Sequence, residues 1–140
     1  MNQKFKQAFE ALQAYCEAES FIGYDPYDGL NSRFFQSLPI LPRYRFPRLV
    51  WIQFFKRSPI NLRKLVGIKK EANPKAMGLF LSSYCLLYKC DPKPEYLDKI
   101  HSFSKSILKA VSPGYSGACW GYNFDWESKA FFQPRFTPTI

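Results

Sequence analysis

The chain has one histidine, four cysteines and 11 acidic residues against 20 lysines and arginines. His101 stands beside Lys99 with no supporting acid nearby, a poor setting for a catalytic base. Cys16, Cys85, Cys90 and Cys119 form no C-x-x-C pair and no zinc spacing. Free, mostly buried thiols in a reducing compartment are expected, and no metal site. The N-terminal stretch from Met1 to Gln13 is polar and amphipathic and has no signal-peptide core. The longest apolar stretch, Met77 to Tyr88, carries Ser82 and Ser83 and falls short of the roughly 20 residues a membrane span needs. Both absences point to a cytoplasmic chain without a transmembrane segment. There is no phosphate loop, dinucleotide fingerprint or nucleophile elbow, so no cofactor is expected. No nucleic-acid motif accompanies the charge either, so no specific nucleic-acid partner is expected.

What is present is a chain of 140 residues, suited to one domain spanning 1–140, with 46% hydrophobic residues. Its aromatic share is 19%, and much of it falls in Gly- and Pro-rich segments rather than in helical ones. Aromatics in such places either plug a core or line a binding surface. The net charge of +9 favours anionic partners, among them nucleic acid, acidic lipid surfaces and acidic glycans. Basic residues thicken from Arg43 to Lys70. Their plainest outcome is a solvated face.

Hydrophobic periodicity predicts four helices. The first runs from Gln3 to Ser20 with Phe5, Phe9, Leu12 and Cys16 on one stripe, and Gly23 stops it. Phe21 to Tyr44 reads as a long loop broken by Pro39 and Pro42. The second helix starts near Pro47 and ends before Ser58-Pro59; apolar residues nearly encircle it, which predicts burial on most sides. The third begins at an Asn73 cap with Pro74 in its first position, and its apolar circumference predicts a central core helix. The fourth, from Glu95 to Val111, has a narrower stripe and should pack antiparallel on the third. The first and second are expected to form another hairpin around the long insertion. Ser112 to Ile140 reads as loop with local turns, in which Phe131 and Phe132 plug the core.

Two loops combine rings with carboxylates. One holds Tyr24, Asp25, Tyr27 and Asp28, followed by Asn31 and Arg33; the other holds Trp120, Tyr122, Asn123, Asp125, Trp126 and Glu127. Sugars have apolar faces that stack on aromatic rings and hydroxyls that donate to carboxylates. Tyr24, Tyr27, Asn31, Trp120, Tyr122, Asn123 and Trp126 are therefore candidate sugar contacts. Arg33 and Arg63 are candidate clamps for an acidic sugar or a lipid-linked pyrophosphate. Asp25, Asp28, Asp125 and Glu127 are the candidate acids and bases, because glycoside chemistry uses paired carboxylates. Turn chemistry competes for the same residues: Asp25 precedes Pro26, Asp28 precedes Gly29, and either can simply hold backbone amides.

The segments Gly23-Tyr24-Asp25-Pro26-Tyr27-Asp28-Gly29, Lys56-Arg57-Ser58-Pro59-Ile60-Asn61-Leu62-Arg63, Asn73-Pro74-Lys75-Ala76 and Cys119-Trp120-Gly121-Tyr122-Asn123-Phe124-Asp125-Trp126 together resemble bacterial exopolysaccharide and capsule biosynthesis proteins of the VpsJ type. The resemblance implies an all-α fold of helical hairpins forming part of an α/α toroid, similar to six-hairpin glycosidases and terpenoid cyclases. It implies a carbohydrate or lipid-linked sugar as partner, and it assigns no catalytic residues. Such proteins are longer, so the chain is expected to be an N-terminal portion of the toroid, completed by a C-terminal part that can be a second chain. Two other functions are compatible with the residues: a non-catalytic scaffold, and a cyclase or prenyltransferase-like activity. The second of these lacks the Asp-rich motif it would require.

Overall fold

The computed structural model describes residues 3–138, and these are mostly helical. Helix α1 covers Gln3–Ala18. It is stopped earlier than Gly23: Ser20 and Phe21 both turn left-handed, with φ of 53° and 58°. The Phe21 amide donates back to the Cys16 carbonyl at 2.8 Å, closing the helix end. The left-handed region is costly for a bulky residue. The reversal drives the Phe21 ring onto Phe103, centroids 4.8 Å apart, and onto Phe80 at 5.1 Å. Gly23 instead exchanges two backbone hydrogen bonds with Glu71, at 3.1 and 3.0 Å.

The stretch read as a long loop contains a 3₁₀ turn, Asp28–Asn31, a short helix α2, Arg33–Ser37, and a second 3₁₀ turn, Leu41–Arg43. Ser32 starts α2, its hydroxyl accepting the Phe35 amide at 3.1 Å. Elements of three to five residues are too short to show a period, which is why the sequence conceals them. Helix α3, Arg45–Arg57, buries only Ile52 and Phe55. The expected burial on most sides does not occur: Phe46, Val50 and Phe54 are exposed. Helix α4, Pro74–Cys90, starts as expected, with Asn73 Oδ1 accepting the Lys75 amide at 2.9 Å. It buries Pro74, Met77 and Tyr84 but exposes Leu79 and Leu86, so it is not enclosed as a central helix would be. Helix α5, Pro94–Lys109, packs along α4 as an antiparallel hairpin.

Two apolar clusters result. Leu30, Phe35 and Ile52 form one, with Tyr27, Leu38, Trp51 and Trp126 against it. Met77, Tyr84 and Phe103 form the other, joined by Phe21, Phe80 and Ile107. The expected pairing of α1 with α3 gives way to contact with α4 and α5. Gln13 Nε2 donates to Tyr84 Oη at 3.5 Å, that hydroxyl donates to Glu17 at 3.3 Å, and Lys99 pairs with Glu17 at 3.6 Å. α1 itself buries no residue.

The C-terminal segment is not only loop. Strands β1, Trp126–Glu127, and β2, Phe132–Gln133, pair antiparallel, and the Ser128 hydroxyl accepts the Ala130 and Phe131 amides at 3.1 and 2.9 Å. Gly121 bridges to Pro138, so close that an added Cβ would overlap the Thr137 carbonyl. Phe131 and Phe132 do not plug the core; both are exposed, Phe131 edge-on to Trp126 at 5.6 Å and Phe132 beneath the Arg48 guanidinium. The cysteines are free as expected, but Cys85 and Cys90 are exposed and the other two half-buried, so the expectation of mostly buried thiols fails. Among the described residues no helix is long and apolar enough to cross a membrane, and no cluster of possible metal ligands occurs.

Candidate functional site

The two ring- and acid-rich loops meet at the seam between the apolar clusters, joined by the connector that precedes α4. In the first loop, Asp25 folds its own turn: Oδ1 accepts the Tyr27 amide at 2.9 Å. The Asp25 amide donates to Asp28 Oδ2 at 3.0 Å. Asp25 Oδ2 accepts Asn73 Nδ2 at 3.2 Å, so one Asn73 amide both caps α4 and steadies the carboxylate. From the second loop, Asn123 Nδ2 donates to Glu71 Oε2 at 2.9 Å, and the Asn123 carbonyl accepts Asn31 Nδ2 at 3.4 Å. Trp126 meets Tyr27 edge to face at 6.1 Å and Tyr122 at 6.4 Å, while Tyr122 stacks on Phe124 at 5.1 Å.

Two adjoining clefts open here, of about 350 and 470 Å³. They share Asp25, Asn73, Ala76 and Phe124. The first adds Tyr24, Asn31, Glu71 and Asn123; the second adds Tyr27, Tyr122 and Trp126. The first thus supplies most of the donors and acceptors, and the second is walled by rings. Asn123 Oδ1 is buried and receives no hydrogen bond among the described residues. Buried acceptors are nearly always satisfied, so this one marks a place where a donor is wanted.

The four carboxylates proposed as acids and bases separate sharply. Asp28 is 5% exposed in its side chain and held by Arg63, whose Nε donates to Oδ1 at 2.8 Å while Nη2 donates to the Asp25 carbonyl at 3.1 Å. Burial pushes the Asp28 carboxyl above its ordinary value, with Arg63 opposing. Glu127 is 2% exposed and sealed by arginines: Arg48 Nε donates to Oε2 at 2.7 Å, and Arg45 Nε stands 3.5 Å from Oε1. Asp125 accepts the Arg135 amide at 2.8 Å, tying together two parts of the C-terminal segment. Only Asp25 lines both clefts and is open to a ligand, with lone pairs to spare.

The remaining candidates divide as well. Tyr24, Tyr27, Asn31, Tyr122, Asn123 and Trp126 are brought together. Trp120 is not; its indole Nε1 caps α5 by donating to the Ile107 carbonyl at 2.8 Å, and it faces a separate hollow behind Tyr122. Arg63 is committed to holding the first loop. Arg33 flanks the first cleft with Lys69 across Gly67. Glu71 carries no site signal in the sequence, Lys69 belongs there only to the basic run, and Asn73 reads only as a cap. They lie in the basic connector, and nothing local marks them; only the Gly23–Glu71 bridge brings them to the site.

No family model, curated protein or solved structure matches the chain.

Proposed function

We propose that this chain binds carbohydrate in the paired cleft, as a non-catalytic part of a polysaccharide-biosynthesis protein. The carrying observation is the convergence of two distant loops on one groove, with Asp25, Asn73, Glu71 and Asn123 on one side and Tyr27, Tyr122 and Trp126 on the other. Hydroxyl edges would meet the first set and a sugar face the second. Binding is favoured over hydrolysis because Asp28 and Glu127 are buried against arginines and Asp125 holds the Arg135 amide, while Glu71, the other carboxylate in the groove, is held by the Asn123 side chain. The substrate side points to sugars of bacterial exopolysaccharide or capsule, or their lipid-linked precursors, in keeping with the VpsJ-type resemblance.

The α4–α5 hairpin, with exposed Leu79, Leu86 and Leu108, suits one unit of an α/α toroid in which neighbouring hairpins cover such faces. Titration calorimetry against a panel of neutral and acidic oligosaccharides tests the binding role. Trp126→Ala and Asp25→Asn should each weaken a bound sugar about fivefold, the stacking ring being worth about 1 kcal/mol. Absence of any heat with every sugar, or binding untouched by both substitutions, would remove the proposal.

A further inference from the structure

We propose that the outer face of α2 and α3 docks on an anionic membrane surface. Between Gly29 and Lys70 there is no aspartate or glutamate, but six arginines and four lysines. Four of these cations turn inward to acids from elsewhere in the chain: Arg45 and Arg48 to Glu127, Arg63 to Asp28, Lys70 to Glu19. Lys56 donates to Tyr27 Oη at 2.7 Å. Arg33, Arg43, Arg57, Lys64 and Lys69 remain at the surface, and none of them makes an ion pair among the described residues.

The same segment presents an apolar face. Phe46, Val50 and Phe54 recur at four-residue spacing along α3, opposite the buried Ile52 and Phe55. Arg57 follows Phe54 by three positions on that face. Phe34 of α2 extends the strip: its ring lies 6.1 Å from Trp51, which is 6.1 Å from Phe54. Leu65 stands beside it at 83% exposure, on a turn tied to α2 by the Phe34 amide donating to the Val66 carbonyl at 3.3 Å. Phe46 is 75% exposed.

A segment that joins exposed rings and aliphatic side chains to unpaired cations, with no carboxylate of its own between Gly29 and Lys70, matches the boundary between acyl chains and anionic headgroups. A protein partner would have to supply every countercharge itself. A bilayer supplies them as phosphates, and the long arginine and lysine stems can lie flat while their charges reach the headgroups. With no membrane-crossing helix among the described residues, the fit is to the surface plane.

The test is co-sedimentation of the whole chain with phosphatidylcholine vesicles, alone or mixed in equal parts with phosphatidylglycerol. Binding is expected to the mixed vesicles, and it should weaken as salt screens the charges. Arg57→Gln should lower partitioning about fivefold, the worth of one cation near such a surface. Phe46→Ser should lower it at least as far, while Leu108→Ser on α5 leaves it unchanged; circular dichroism checks that each variant folds. Equal partitioning to both vesicle types, or none, overturns the proposal. So does a dimer in sedimentation velocity that Phe46→Ser dissolves while vesicle binding is absent, since the face would then join two copies of the chain.

Discussion

At the residue scale, the decisive distinction is between carboxylates that hold the fold and the one that faces the clefts. Glu127 is buried and Arg48 half-buried against it, so removing either leaves the other's charge poorly compensated away from water. Glu127→Ala is expected to cost about 3–5 kcal/mol, read by denaturant unfolding. Asp25→Asn should cost far less stability, because a neutral amide keeps one carbonyl acceptor for the turn. A similar loss at both positions would mean that Asp25 is also structural. Asp28 adds a pH signature. Its folded pKa lies above the ordinary 3.8, because burial disfavours its charge. The native state therefore holds this proton more tightly than the unfolded chain does. Its contribution to stability is full below that ordinary value and declines as pH rises through the higher folded one. Asp28→Asn should flatten that decline in unfolding measurements across the acid range.

At the scale of elements, the helices with clear punctuation were legible and the short ones were not. Asn73-Pro74 announces α4, because capping and ring constraints act locally, and the narrower apolar stripe from Glu95 announces α5 as its antiparallel partner. The end of α1 was misplaced because its signal is conformational: two non-glycine residues adopt the left-handed turn, and the aromatic packing of Phe21 compensates. Ser20→Gly should relieve that strain and raise stability by up to about 1 kcal/mol in thermal unfolding. An unchanged or lower melting temperature would show the turn to be unstrained. Gly121→Ala should do the opposite. Its Cβ would meet the Thr137 carbonyl, so the Gly121–Pro138 bridge must open, and β1 and β2 should lose amide protection in hydrogen exchange.

At the scale of the molecule, sequence could supply the two loops but not their meeting. Tyr27 and Trp126 are distant in the chain, and only the burial of both beside the Leu30–Phe35–Ile52 cluster brings their rings within 6.1 Å. Periodicity also overstated enclosure. An apolar circumference on α3 and α4 predicts burial only where neighbours exist, and here Phe46, Phe54, Leu79 and Leu86 face outward. Those faces belong to the account of docking and assembly rather than to that of the core.

The central claim is that the seam between the clusters is where a sugar sits. A titration of isotope-labelled protein with a binding oligosaccharide, followed by side-chain and backbone nuclear magnetic resonance, reports on it residue by residue. The account predicts shifts concentrated at the Trp126 indole, the Asn73 and Asn123 amides and the Tyr27 backbone, with the Trp51 and Trp120 indoles still. Shifts centred on Trp120 or the α3 surface, with the seam silent, would contradict it.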